Sequence, residues 1–325
     1  MTVSKALRDA PDISAGTRER IKKMAVEMGY VPNSAAQGLR TRHTRLLGLV
    51  VSSVTNPIYS RIIMAIEEIA HELGYEVLLA QTFSRTDREE AVIRRLLTRR
   101  VDGLFLTPVY RLSPHAGIYD ELRKRKVPTV ILGHTAPFCA GFLNVETDDE
   151  LSSYNLTQHL ISLGHKRIAY FCGPPAAPSS HFRFEGYRRA LRENGLPQDD
   201  NLVFQAGVTI EEGQKAALQF LQEKPGATAI QAVNDLVAIG TGNVLLSQGV
   251  RIPQDISLAG FGNVLTTEYY RVPLTTIRQP KYRLGVAAME MMRKMIAGES
   301  VESKRLPAEL AQRDSTAPPP HSETN

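Results

Sequence analysis

From residue 46 onward the chain alternates short apolar runs with amphipathic stretches. Residues 46–54 read as a buried strand. Pro57 then opens a stretch with Ile62, Ile63, Ile66, Ile69, Ala70 and Leu73 at helical spacing, closed by Gly74, where a left-handed residue ends a helix at little cost. Residues 75–81 form the next strand. Thr86 and Glu89 stand in the capping-box spacing and predict a helix running to about residue 100. Residues 103–109 and 128–132 are further strands, with a helix between them. The rhythm resumes after residue 148, with helices near 149–163, 180–194, 210–223 and 235–248 alternating with strands over 167–172, 201–206, 227–233 and 255–261.

Strand–helix units repeated at this spacing predict parallel sheets covered on both faces. They are too many for one small sheet, and two open doubly wound sheets suit the length better than a barrel. Two lobes facing each other follow. Ligands of such sheets sit beyond the carboxyl ends of the strands. The expected floor of the cleft is therefore 55–59, Gly133–His134, the loop before Arg183, Asn234–Asp235 and Gly262–Asn263. His134 and His165 follow glycines at element ends and are expected at the surface. The pair Asp148–Asp149 opens a helix, where carboxylates complement the dipole.

Ahead of this body lies a head of different character. A short helical segment over 2–8 carries Val3, Ala6 and Leu7 on one side. A four-turn amphipathic helix over 14–29 places Ile21, Met24, Ala25 and Met28 together. A short helix over 34–39 leads into the basic run 40–45. The first 45 residues hold nine Lys/Arg against four acids, which accounts for the whole net charge of +5. A neutral body with a basic head is the footprint of a protein that touches a polyanion with one end, or else a solvated basic terminus.

Composition narrows the classes. With 42% hydrophobic and 22% charged residues among 325, the chain is an ordinary globular protein of about two domains. Two cysteines make neither a disulfide framework nor a four-ligand zinc site, and suit a reducing cytosol. No apolar run reaches 18 residues, so no membrane association is expected, and no secretory leader is legible. Trp is absent and aromatics are 6%, which disfavours a stacking platform for single strands. There is no Walker loop, HExxH or GxSxG, and the Gly240–Gly242 pair falls inside a helix. No catalytic residue, metal or cofactor is expected.

At this point the residues resemble the LacI/GalR family of bacterial transcription regulators across nearly the whole chain. "TVSKAL" resembles the family's recognition helix, and "ISAGTRERI…MGYVPNSAAQGLRT" its third helix and hinge helix. "LGLVVSSVTNPIY", "LGHKRIAYFCGPP", "RFEGYRRAL", "VNDLVAIG", "DISLAGFGN", "PLTTIRQP" and "LPAELAQRDST" follow in the family's order. The resemblance implies an α/β fold: a two-lobed periplasmic-binding-protein-like body of two doubly wound parallel sheets, preceded by a helix-turn-helix head and a hinge helix. Its implied divisions are a head over 1–29, a hinge helix and linker over 30–45, and an effector and dimerisation body over 46–314. The N-lobe would take 46–143 and 276–298, the C-lobe 144–275 and 299–314, and 315–325 would be a disordered tail.

The resemblance places Thr2, Ser4 and Lys5 on the helix that reads the major groove, where the other reading is plain helix surface. Ala36 and Leu39 share a face of the hinge helix. The family's leucine matched by Leu39 wedges into the minor groove, or packs on its dimer mate, or both. Asn33, Arg40 and Arg42 are phosphate-contact candidates. Effector contacts carry over to Tyr59, Ser179, Arg183, Asn234 and Asp235, with Asp235 equally well read as a helix-start residue. The implied protein is a cytoplasmic homodimeric repressor on a pseudo-palindromic duplex operator, controlled by a small molecule such as a sugar or sugar derivative. The alternative is a solute-binding sensor module without a competent head.

Two departures from the family pattern qualify this. Met1 stands just before the recognition-helix pattern, so the first helix of the helix-turn-helix has no counterpart, and the 2–8 segment is expected to be too short to hold a helix alone. Either the start lies further upstream or the head is damaged. In the cleft, sugar-responsive members carry aspartates at the positions matched by Gly133 and Gly262. Their loss predicts a pocket tilted positive, toward an acidic or phosphorylated sugar derivative, although a sugar held through other groups and a lost effector stay open.

Overall fold

The computed structural model describes residues 2–7, 10–30 and 43–320, Thr2 and Ser4 by their backbone only. The chain divides into two units, Met1–Arg45 and Leu46–Asn325.

In the first unit, α1 (Thr2–Ala6) lies against α2 (Ala15–Glu27). The short segment is helical after all, because tertiary contacts supply what its length does not. Ala6 is fully buried, Lys5 forms an ion pair with Asp12, and Arg18 donates to the carbonyls of Ala10 (3.2 Å) and Ile13 (3.0 Å). Ser14 caps α2, its hydroxyl accepting from Thr17 N at 3.4 Å. Asn33, Ala36, Leu39, Arg40 and Arg42 lie outside the described residues.

Among the described residues the second unit holds two six-stranded sheets. The N-lobe sheet has the order β11-β5-β4-β3-β1-β2, all parallel, from β1 (Leu46–Val51), β2 (Glu76–Gln81), β3 (Gly103–Leu106), β4 (Thr129–Leu132), β5 (Leu143–Thr147) and β11 (Lys304–Leu306). The C-lobe sheet has the order β12-β10-β9-β8-β6-β7, from β6 (Ile168–Cys172), β7 (Val203–Gln205), β8 (Ala229–Ala232), β9 (Ser257–Gly262), β10 (Thr275–Arg278) and β12 (Glu309–Ala311). Its strands are parallel except that β12 runs antiparallel to β10.

Helices cover both faces of each sheet, which is why the central strands are apolar on both sides. In the N-lobe α3 (Ser60–Glu72) and α10 (Lys281–Ile296) cover one face, α4 (Thr86–Thr98) and α5 (Gly117–Arg125) the other. In the C-lobe α6 (Asp149–Ser162) and α7 (Pro178–Glu193) oppose α8 (Ile210–Glu223) and α9 (Asp235–Ser247). α8 and α9 meet at glycines. A Cβ on Gly213 would stand 2.4 Å from Val237 O, and one on Gly240 2.0 Å from Ile210 O, so only glycine lets the backbones touch.

Several expectations are corrected. β1 stops at Val51, because Ser53 and Asn56 bond within the following loop (Ser53 Oγ to Thr55 Oγ1, 2.7 Å; Ile58 N to Asn56 Oδ1, 3.2 Å). The Thr86–Glu89 capping box does not form. Glu89 is buried instead, accepting from Val109 N (2.7 Å) and Tyr119 Oη (2.8 Å) and pairing with Arg111. The lobe boundaries move as well. β5 belongs to the N-lobe, β10 to the C-lobe and β11 to the N-lobe, so the chain passes between lobes after Thr147, after Arg278 and after Leu306. The start of the expected tail is packed. Ser315 is fully buried, donating to Leu258 O (2.5 Å) and accepting from Thr275 N (2.8 Å). His165 is buried beneath the same segment, bonded to Thr228, Ser257 and Ala317 O.

Candidate functional sites

The carboxyl ends of the strands in both lobes open onto one cleft of about 370 Å³. Ser52 and Thr107 enter it from beyond β1 and β3, and Gly133 and His134 from beyond β4. Ala177 and Ser179 come from the start of α7, Asn234 from beyond β8, and Gln279 from beyond β10. Tyr59, Tyr110 and Phe261 give the walls an aromatic character.

Arg183 reaches the cleft from α7. Its Nη1 donates to Val233 O (2.8 Å) and its Nη2 to Asp149 Oδ1 (3.1 Å), while its guanidinium carbon lies 3.8 Å over the Phe261 ring. The buried Nε has no partner among the described residues. Arg183 thus arrives stacked and aimed, with donor capacity to spare.

The other Asp149 oxygen faces His134 Nε2 at 2.8 Å, and the opposite ring nitrogen of His134 faces Glu146 Oε2 at 2.7 Å. Ionised carboxylates only accept, so both ring nitrogens carry hydrogens and His134 is an imidazolium. Burial pulls its pKa down, but the hydrogen bonds to Asp149 and Glu146 outweigh burial and push it up to about 9. Burial likewise favours the protonated form of Glu146, yet His134 and then Arg305 hold its pKa below the ordinary value. Arg305 Nε donates to Glu146 Oε1 at 2.7 Å, which completes an alternating row Arg305–Glu146–His134–Asp149–Arg183. His134 follows N-lobe strand β4 and Glu146 lies on N-lobe strand β5, while Asp149 and Arg183 come from C-lobe helices, so the row crosses from lobe to lobe. His134 also packs against Phe182 of α7, the ring centroids 4.8 Å apart and the planes tilted by 38°. It is 5% exposed, not a surface residue.

Gly133 and Gly262 have φ of +112° and +138°, backbone that an aspartate adopts only with strain. At Gly262 the space is taken as well, since a Cβ there would lie 3.0 Å from Asp235 Oδ2. Asp235 is buried, accepting from Thr276 Oγ1 (2.5 Å) and Val264 N (2.9 Å). Burial raises its pKa. Its helix-start position serves the lobe's own packing, and the carboxylate turned toward Arg183 is Asp149. Lys281, at the start of α10, donates to the carbonyls of Gly262 (2.6 Å) and Asn263 (2.8 Å) and so ties the N-lobe helix to the C-lobe strand end. Burial lowers its pKa to about 8, an effect Asp235 partly offsets. The expected positive tilt is absent: Asp149 stands against Arg183, Glu146 against His134, and Asp235 near Lys281.

All five residues carried over as effector contacts line this cleft. Tyr59 is half-buried beside Ser52 (Oγ to Oη, 3.4 Å), and Ser179 sits in the first turn of α7. Asn234 caps α9, accepting from Val237 N (2.8 Å) and donating to Val208 O (3.0 Å). Sequence reading placed His134 on the cleft floor but at the surface, took Asp149 for a helix-start acid only, and missed Glu146. The adjacent acids at 148–149 were the available signal: Asp148 is the cap, accepting from Leu151 N (3.1 Å), which leaves Asp149 free to turn inward. In the head, Lys5 forms an ion pair with Asp12. Among the described residues no group of His, Cys, Asp and Glu is placed to hold a metal, and no helix is long and apolar enough to cross a membrane.

Comparison with known proteins matches residues 44–314 to the family described as periplasmic binding proteins and sugar binding domain of LacI family, and residues 1–33 to bacterial regulatory proteins, lacI family. The chain is 32% identical over 317 residues to the HTH-type transcriptional repressor CytR of Escherichia coli (strain K12), covering 97% of this chain and 92% of that protein. It is 30% identical over 318 residues to catabolite control protein A of Priestia megaterium, covering 97% and 95%. Among solved structures it resembles the lac repressor dimer bound to operator and the anti-inducer ONPF, with a TM-score of 0.86 and 28% identity over 97% of this chain and 94% of that one. It also resembles the CelR–cellobiose complex, with a TM-score of 0.76 and 29% identity over 96% and 94%.

Proposed function

The chain belongs to the LacI family of bacterial transcription regulators, and from that premise we propose how its cleft and head divide the work. It is a ligand-controlled DNA-binding regulator rather than an enzyme. The effector sits in the interlobe cleft and is a neutral, polyhydroxylated small molecule of the sugar class. The observation that carries this reading is the Arg183–Asp149 pair, 3.1 Å apart on the cleft wall. A fixed donor beside a fixed acceptor suits adjacent hydroxyls. The ionised groups around it already have counter-charges, and a buried charge without one is costly. Arg183, Asp149, Asn234, Ser179 and Tyr59 are its contacts, and Asp235 supports the floor. The CelR–cellobiose complex points the same way.

Effector binding moves the lobes about the row that joins them and so alters the dimer that presents the heads. Thr2, Ser4 and Lys5 read base edges and phosphates, with Lys5 exchanging Asp12 for a phosphate. Asn33, Ala36, Leu39 and Arg40 act at the hinge. A two-fold dimer on a pseudo-palindromic operator in the cytoplasm, acting as a repressor, completes the reading.

The test is a thermal-shift titration of the protein with ribose, cellobiose and gluconate, repeated on Arg183→Ala. A neutral sugar should raise the melting temperature of the wild type and not of the variant. Stabilisation by gluconate alone, the same shift in both proteins, or no shift with any neutral sugar would overturn the reading.

A further inference from the structure

Glu89 is a buried charge outside the cleft lining. It stands on α4, 1% exposed, behind the stretch of cleft wall formed by residues 107–110. Its Oε1 accepts from Val109 N at 2.7 Å and from Tyr119 Oη at 2.8 Å, and its Oε2 accepts from the Arg111 guanidinium. Arg111 Nε in turn donates to Val109 O at 3.0 Å, so Glu89 and Arg111 together engage both backbone groups of Val109. The guanidinium lies 4.8 Å over the Phe138 ring, and Phe138 meets Tyr119 edge-on with centroids 5.2 Å apart. This closed set of contacts serves a stretch with no ladder of its own. Between β3 and α5 the chain has neither strand nor helix, and buried irregular backbone must find its partners among side chains. Tyr110 sits between the two clamped residues. It lines the cleft, and its phenol donates to His134 O at 2.6 Å.

We infer that Glu89 is a positioning residue of the effector cleft: it fixes Tyr110 in the wall, and with it the carbonyl of His134, from outside the cleft lining. The inference rests on the reading of the cleft as the effector site. A buried ion pair adds little net stability, because desolvation offsets the attraction, so its contribution here is geometric. Charge-assisted bonds are shorter and stronger than neutral ones, and three of them or their neighbours converge on residues 109 and 111. A glutamine at 89 keeps the shape and an acceptor but not the pair with Arg111, and the wall at Tyr110 loosens.

The chain has no Trp, so Tyr110→Trp makes position 110 the only indole emitter. In the full chain without ligand, adding Glu89→Gln should move that emission to longer wavelength and increase its quenching by acrylamide. With Tyr110 in place, ribose and cellobiose are titrated into wild type and Glu89→Gln. The variant should bind the sugar that wild type binds roughly tenfold more weakly, the worth of one charge-assisted hydrogen bond. In a Tyr110→Ala background the same substitution should change affinity little, because the residue it acts through is gone. A glutamate that served stability alone would lower the melting temperature and leave affinity unchanged. Glu89→Gln/Arg111→Met removes both charges together and serves if the single variant fails to fold. Unchanged emission and quenching, unchanged affinity, or equal losses with and without Tyr110 would overturn the inference. If neither sugar binds wild type, the reading of the cleft fails, and the fluorescence still decides whether Glu89 holds Tyr110.

Discussion

Replacing His134 by glutamine tests the buried row directly. In the folded protein its pKa stands at about 9 against an ordinary 6.5. That difference corresponds to roughly 3 kcal/mol of preference for the folded state when the ring is charged. The sign follows from the direction. A raised pKa on a base stabilises fully below pH 6.5, and the stabilisation is lost as pH rises through 9. Lys281 acts oppositely, since its pKa is lowered to about 8, but it is present in both proteins and cancels in the comparison. Wild type should therefore exceed His134→Gln in melting temperature by about 5–10 °C at pH 6. The gap should shrink steadily toward pH 9.5. Calorimetric scans at intervals of one pH unit would measure it. Parallel profiles, with a constant gap across that range, would show that His134 is not held charged between Asp149 and Glu146 and would refute the reasoning.

Three further outcomes are expected. Gly240→Ala should destabilise the C-lobe by about 3 kcal/mol, because its Cβ would stand 2.0 Å from a backbone oxygen of α8; an unchanged urea midpoint would contradict the packing described. Leu39→Ala should weaken binding to a pseudo-palindromic duplex selected from random sequence by roughly tenfold, the worth of one buried leucine side chain. Fluorescence anisotropy should also show wild-type affinity falling steeply with salt, and a flat salt profile would sink the phosphate contacts.

The strand–helix rhythm was legible because each unit carries its own signal: an apolar run, then a 3.6-residue period, then a glycine or a cap. β5 escaped because Leu143–Thr147 is short and alternates, and β11 and β12 are three residues each. The lobe boundaries were misplaced for the same reason. Glu89 shows a limit of local patterns: a glutamate three residues after a threonine fits a cap, yet its partners lie at 109, 111 and 119. His134 shows another. Nothing near it in sequence announces burial, because its carboxylates come from the far end of a neighbouring strand and the start of the next lobe. The cleft residues were easier to place, since the carboxyl ends of parallel strands are readable once the strands are.

The three passages of chain between lobes bear on how the molecule is made. The N-lobe sheet lacks its edge strand until Lys304–Leu306 has been synthesised, and its covering helix α10 arrives only at 281–296. The C-lobe in turn waits for Glu309–Ala311 and for Ser315 beneath β9. A ribosome reading this message therefore releases nearly the whole body before either half can close its core. The nascent chain carries uncovered parallel strands through most of translation, the stage at which unpaired edges invite aggregation. Neither lobe can be expressed as one uninterrupted piece, and dissecting the protein into halves calls for splicing distant segments rather than a single cut.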